Sequence, residues 1–292
     1  EANISPWRRL SDVGAIIKEW QINPVTAELE IETLESLITN KTKIVAVTHC
    51  SNIVGTVNNL KKISELAHKK NAIVIGDGVS YAPHRFPNVK DLGVDFYTFS
   101  LYKTYGPHLA LLYGKEDIIK KLPNQNHQFL EGKYPYTINP GGPNHEELVS
   151  LIGIYDYMMH LYSHHFSIAE LSTREKISEI NNLISRHEEE LANPILEYIS
   201  ERKDLKLIGK DKILNKNRAP TISFTSNNIS SKKISDILVS ENIATRNDNF
   251  YAWRCLEALK IDTDDGVVRI SMTHYNTMDE TNKLLRALDL IK

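Results

Sequence analysis

The chain has 292 residues, 41% hydrophobic and 25% charged, with 35 basic against 37 acidic side chains and a formal net charge of −2. Its charges are scattered, with no basic stripe interleaved with aromatics, so the electrostatic footprint of a nucleic-acid partner is missing. No apolar run reaches the roughly 18 residues of a membrane helix, and a chain of this length is expected to form two lobes.

Taken in chain order, four short runs rich in Val, Ile and aromatics predict strands: residues 43–48 (KIVAVT), 72–76 (AIVIG), 95–100 (DFYTFS) and 110–114 (ALLYG). Each is bounded by turn residues and reads as buried on both faces. Between the first two, residues 60–70 (LKKISELAHKK) place Ile63, Leu66 and Ala67 on one helical face. Strand, helix and strand on short links are the signature of a mostly parallel sheet.

A Gly/Pro-rich loop at 138–147 (INPGGPNHEE) then leads into a helix reaching about Tyr162. Residues 172–200 carry Ile177, Ile180, Leu183, Ile184, Leu191, Ile195 and Ile199 at helical spacing and predict a long helix bridging two lobes. Beyond it come a strand at 221–225, a helix at 231–240, a loop through Tyr251, a strand at 267–272 and a final helix at 278–290. The expected class is α/β, with a large domain over residues 1–165 and a smaller α+β domain over 166–292.

Cys50 and Cys255 stand far apart and outside any Cys-x-x-Cys or Cys/His cluster. This argues against a disulfide framework or a zinc site and fits a reducing, cytoplasmic compartment. The Ser163–His165 run lacks a third ligand at metal spacing, so no metal is expected. The first residue is Glu1, and "EANISPWRRL" reads as interior sequence, so an upstream segment of about a hundred residues is expected.

The chemistry is expected where parallel strands end. Asp77 closes the second predicted strand and is followed by Gly78; Lys103 lies in the turn after the third, 26 residues on. Alone, Asp77 reads equally as a helix cap or turn former and Lys103 as a surface charge. Together they supply the two groups a pyridoxal phosphate enzyme needs: a lysine for the Schiff base and a carboxylate that keeps the pyridinium nitrogen protonated.

The Asp-Gly-x-x-x-x-Pro-His block at 77–84 and the Ser-x-x-Lys-x-x-Gly-Pro block at 100–107, in this order and spacing, resemble the class V aminotransferase superfamily of fold-type I pyridoxal phosphate enzymes. The resemblance is greatest to its cysteine desulfurase-like branch and spans essentially the whole chain. It implies a fold-type I large domain with a mostly parallel sheet and a smaller C-terminal α+β domain. It makes Lys103 the Schiff-base lysine, Asp77 the partner of the pyridine nitrogen, and Ser100 a phosphate ligand. Tyr102 stands where many relatives have a phosphate-binding histidine, and its hydroxyl donates the same bond. Ser80 stands where desulfurases carry a longer glutamine that contacts the ring's phenolic oxygen.

The resemblance further implies that Asn52 and Arg269 hold a substrate carboxylate, a task suited to the planar arginine fork, with Arg246 as a second arginine. A solvent-facing strand arginine is the plain alternative for Arg269. Gly141 and Gly142 occupy a loop where relatives place a threonine near the phosphate of the other subunit's cofactor; only backbone N–H groups serve there. A simple turn before a helix explains those glycines equally. A homodimer follows only through this likeness.

Two departures stand out. Desulfurases place a nucleophilic thiolate on a small-lobe loop, whereas here Tyr251 falls at that position and Cys255 comes four residues later. The family's stacking histidine would precede Glu1. His84 reads as a packing or supporting group, His145 and His274 as polar contacts on loops near the site, and His49 directly follows a predicted strand. The expected function is a cysteine desulfurase or selenocysteine lyase-like enzyme acting on a small α-amino acid, with no membrane or nucleic-acid partner. An aminotransferase or epimerase on the same fold stays open, as does a truncated, non-catalytic homologue acting by dimerisation.

Overall fold

The computed structural model describes residues 2–139, 141–167 and 170–291. Helix α1 (Ser5–Arg8) carries Pro6 in its first turn, where no backbone donor is needed. After α2 (Ile31–Leu37) and strand β1 (Ile44–Thr48) comes α3 (Leu60–His68), whose N-terminus is capped by the Asn59 side chain accepting from the Lys62 N–H at 3.0 Å. It buries Leu60, Ile63 and Ala67. Strand β2 (Ile73–Asp77), α4 (Val89–Leu92), β3 (Phe96–Ser100), a 3₁₀ turn (Leu101–Lys103), β4 (Ala110–Gly114) and α5 (Glu116–Ile119) follow. Then come α6 (His145–Ser150), α7 (Ile152–His165) and the 29-residue α8 (Thr173–Glu201).

The remaining elements are β5 (Leu205–Ile208), β6 (Thr221–Ser226), α9 (Ser231–Ser240), β7 (Arg246–Asp248), α10 (Trp253–Ala258), β8 (Val267–Ser271) and α11 (Met278–Leu288). A full capping box opens α11: the Thr277 hydroxyl accepts from the Glu280 N–H, and the Glu280 carboxylate accepts from the Thr277 N–H.

Contacts divide the chain into two compact units. One comprises residues 40–47 and 59–181; the other comprises 1–39, 48–58 and 182–292. The boundary read from the sequence at 165/166 therefore falls inside the first of these. Residues 48–58 group with the C-terminal part for a hydrogen-bonding reason. The Val57 N–H donates to the Asn217 carbonyl (2.9 Å), the Ala219 N–H to Gly55 (2.8 Å), and the Ser223 hydroxyl to Ile53 (2.7 Å).

The unit holding residues 59–181 is built on a four-stranded sheet of order β1-β2-β3-β4. β2 and β3 pair in parallel, with Asp77 opposite Thr98, and β4 returns antiparallel, with Ala110 opposite Ser100. Positions along β1, β2 and β3 alternate between buried and more accessible, with Val45, Val47, Val74 and Tyr97 inside. None of the four strands is buried on both faces as expected, and β4 departs furthest: Leu112 is 56% exposed, because the strand lies at the sheet edge. Asp95, at the entry to β3, is buried and ties three elements together. It accepts from the Val74 N–H (2.7 Å) and from Lys115 Nζ (2.6 Å), and lies 2.8 Å from His68 Nε2. Burial alone would raise its pKa, but Lys115, His68 and the Val74 amide together bring it below the ordinary carboxylate value.

The other unit carries an antiparallel sheet of order β5-β6-β8-β7. Its main core gathers Leu191, Ile195 and Ile199 of α8, Ile234 and Leu238 of α9, and Leu284 and Leu288 of α11 against Ile222, Phe224, Val268 and Ile270 of the sheet. A second apolar cluster packs Ile53, Val54, Phe250, Leu256 and Val267 together. The sequence reading missed β5 and β7, which are too short to show a period. Arg218 is wholly buried, and its Nη2 donates to the Thr221 carbonyl at 2.8 Å.

Candidate functional site

The parallel register of β2 and β3 brings Asp77 and Ser100 to the same, C-terminal, end of their strands. This is the rim where open α/β sheets receive ligands. Asp77 Oδ1 accepts from the Val79 N–H at 3.0 Å, and Oδ2 receives no hydrogen bond from the described residues. Burial raises the Asp77 pKa, while the Val79 amide and the charge of Lys103 act against it; the net shift is upward. Lys103 thus lies within electrostatic reach of the carboxylate. Its side chain is exposed, and Nζ sits 5.9 Å from the centre of the Tyr102 ring.

The 3₁₀ turn that carries Lys103 is fixed locally. The buried Thr104 donates its hydroxyl to the Ser100 carbonyl (3.1 Å), and the Leu101 N–H donates to Leu109 (2.9 Å). Tyr105, in the left-handed region at φ 63°, donates its hydroxyl to the Pro83 carbonyl. Thus the 77–84 and 100–107 blocks are joined directly. Tyr102 is 48% exposed and packs at 4.6 Å against the His108 ring. Ser80 and Ser100 are half-buried. Gly141 and Gly142 are exposed, with open space where a β-carbon would stand; the adjoining Pro140 lies outside the described residues, as does Glu1 of the opening motif.

Within the other unit, Asn52, Phe250 and Arg269 form a closed set. Asn52 Nδ2 donates to the Phe250 carbonyl at 2.9 Å, and Arg269 Nη1 donates to the Asn52 carbonyl at 3.2 Å. The guanidinium carbon of Arg269 stands 3.8 Å from the centre of the Phe250 ring. Arg246 is the cross-strand partner of Arg269 and is exposed, with Nη2 3.8 Å from Asp248. Burial, then the charge of Arg246, lowers the Arg269 pKa, opposed by Asp248. Phe250 was not legible as a site residue: its only signal was its place in the "NDNFY" loop.

The thiols fare poorly as nucleophiles. Cys50 is 1% exposed, with Sγ 3.4 Å from the Gly55 carbonyl oxygen. Cys255 packs in α10 against the Ile53–Leu256 cluster, and burial pushes its thiol up to about 11. Tyr251, at the position of the family's thiol, is 86% exposed. His84 and His49 are buried, His145 opens α6, and His274 meets Tyr275 edge-on at 5.5 Å. Among the described residues, no three His, Cys, Asp or Glu side chains gather as metal ligands, and no helix is long and apolar enough to cross a membrane.

Comparison with known proteins bears on the family and the fold. The family model for class-V aminotransferases matches residues 1–284. An aminotransferase-like protein of Gibberella zeae is 35% identical over 297 residues, which cover 100% of this chain and 70% of that one. A probable cysteine desulfurase of Halalkalibacterium halodurans is 28% identical, over 100% of this chain and 68% of its own length. In fold, the chain resembles a cysteine desulfurase of Escherichia coli (TM-score 0.81, 23% identity, 99% of this chain and 69% of that one). The chain belongs to the class-V aminotransferase family of pyridoxal phosphate-dependent enzymes.

Proposed function

We propose that the protein acts on a small α-amino acid at a pyridoxal phosphate site built on the β2–β3 rim, in the manner of a cysteine desulfurase or selenocysteine lyase. The observation that carries this is the half-buried Asp77 carboxylate within electrostatic reach of Lys103, with Oδ2 accepting no hydrogen bond from the described residues. Such a carboxylate fits a cationic ring nitrogen. When bound, pyridoxal phosphate supplies an electron-withdrawing ring that takes up charge from a substrate's Cα.

The individual roles are those the family resemblance implies, on side chains whose chemistry suits them. Asp77 would hold the proton of the ring nitrogen, and Lys103 Nζ would hold the cofactor and serve as the base that moves the proton at a substrate's Cα. The Ser100 and Tyr102 hydroxyls donate to the phosphate, and Ser80 offers its hydroxyl to the ring's phenolic oxygen. Gly141 and Gly142 would offer backbone N–H groups to the phosphate of a second copy's cofactor, and a homodimeric working form is carried over from the family alone. Arg269, with Asn52 and the exposed Arg246, binds the substrate's carboxylate. A cytoplasmic setting fits the free thiols.

The buried Cys50 and the half-buried Cys255, whose thiol is pushed up to about 11, favour a second reading, in which the reaction is proton transfer at Cα, as in an aminotransferase or epimerase, without sulfur transfer to the protein. The test begins with colour. The holoenzyme shows the visible band of a lysine-bound cofactor, and Lys103→Ala loses it; a wild-type protein that stays colourless with added cofactor defeats both readings and leaves a non-catalytic homologue that dimerises. Sulfide release from L-cysteine then supports desulfuration. Exchange of the Cα hydrogen of L-alanine into deuterated water without sulfide release supports the second.

A further inference from the structure

We propose that Phe250 is a positioning residue: it holds the Arg269 guanidinium in the plane and orientation needed to take a substrate carboxylate. This rests on Arg269 being the carboxylate-binding arginine. Phe250 has no role in the motifs that identify the family, and the inference comes from how its ring, its carbonyl and its backbone are used.

Arg246 stands directly opposite Arg269 on paired strands, and like charges so placed repel. An arginine in that field, on a half-buried strand position, needs something to fix it. The Phe250 ring does this. At 3.8 Å the guanidinium carbon lies over the ring face, where the negative quadrupole attracts the cation. The ring itself is only 7% exposed, seated among Ile53, Val54, Leu256 and Val267. It therefore forms a fixed floor. One N–H of the guanidinium goes to the Asn52 carbonyl, and a flat guanidinium held on a ring presents its other edge to a planar carboxylate.

The backbone supports the same reading. Phe250 and Tyr251 are both left-handed, at φ 51° and 59°, a conformation that is strained for a non-glycine residue. Strain of this kind persists where the surroundings enforce it. Here Asn52 Nδ2 clamps the Phe250 carbonyl at 2.9 Å, and Asn249 Oδ1 accepts from the Tyr251 N–H at 3.1 Å. Asn52 thus serves Arg269 twice, through its own carbonyl and by fixing the ring beneath the guanidinium.

The test measures binding to the holoenzyme, by the change in its visible spectrum, of two probes: L-alanine and ethylamine, which lacks the carboxylate. Phe250→Leu, which keeps apolar bulk and removes the ring, weakens L-alanine binding about fivefold and leaves ethylamine unchanged, while Phe250→Tyr restores the wild-type ratio. Phe250→Met is read the same way if the leucine variant does not fold. In cofactor-free protein, the Arg269 Nε–H resonance, ring-shifted in wild type, moves to its ordinary position in Phe250→Leu and stays shifted in Phe250→Tyr. Equal weakening of both probes, or of neither, overturns the proposal when Arg269→Lys lowers the L-alanine preference. If Arg269→Lys leaves that preference unchanged, the carboxylate role of Arg269 itself falls, and the proposal with it.

Discussion

Gly78 faces the ring of Tyr97 so closely that a β-carbon there would lie 2.1 Å from the phenolic oxygen. Tyr97 is wholly buried in β3 and has no room to retreat. The residue after Asp77 must therefore be glycine for β2 to end where it does, beside β3, with the Gly78 N–H donating to the Thr98 carbonyl at 2.8 Å.

Gly78→Ala is accordingly expected to destabilise the protein by about 1–3 kcal/mol, read as a lower urea midpoint. Gly153→Ala, on α7 where a β-carbon meets open space, is the control and does not lower the midpoint. Equal midpoints for the two variants would refute the packing argument.

Gly266 plays the matching role in the other unit. At φ 68° it lies against the β7 end, where a β-carbon would stand 2.3 Å from the Asp248 carbonyl carbon. Gly266→Ala combines left-handed strain with a backbone clash and is expected to cost about 2–4 kcal/mol. The Arg269–Phe250 pairing should loosen with it, visible as loss of the ring shift at Arg269.

Asp95 makes stability depend on acid. Its folded-state pKa lies below the ordinary 3.8, so its contribution is full above that value and is lost as pH falls through the lower, folded-state one. Asp95→Asn is expected to lower stability by about 2 kcal/mol at neutral pH. The deficit shrinks on acidification below the ordinary value, and urea titrations across that range measure it. A constant deficit at all pH values would show that the ion contacts with Lys115 and His68 contribute nothing.

Cys255, with its thiol pushed up to about 11, should react slowly with a disulfide reagent at neutral pH. Its rate should climb about tenfold per pH unit toward that value, as the thiolate fraction does. Cys255→Ala is expected to leave turnover unchanged. Rapid modification of Cys255 at neutral pH, or loss of sulfide release in Cys255→Ala, would restore it as a nucleophile.

Much of the fold was determined by the local pattern of the chain. The apolar runs of β1, β2 and β3, the one-sided spacing of Ile63 and Ala67, and the long period of α8 each reflect a single element burying one face, which neighbours in sequence reveal. Asp77 and Lys103 were legible because parallel pairing brings consecutive strand ends to one rim. Only the tertiary structure decided the rest. The grouping of residues 48–58 with the C-terminal unit depends on hydrogen bonds to residues more than 150 positions away, and the exposure of β4 depends on which strand ends the sheet. The partial burial of Cys255 against Ile53 and Val54 and the stacking of Arg269 on Phe250 likewise arise between distant parts of the chain. Hydrophobic period describes one element at a time, whereas a charge, a thiol or a ring takes its chemistry from whatever the fold sets against it.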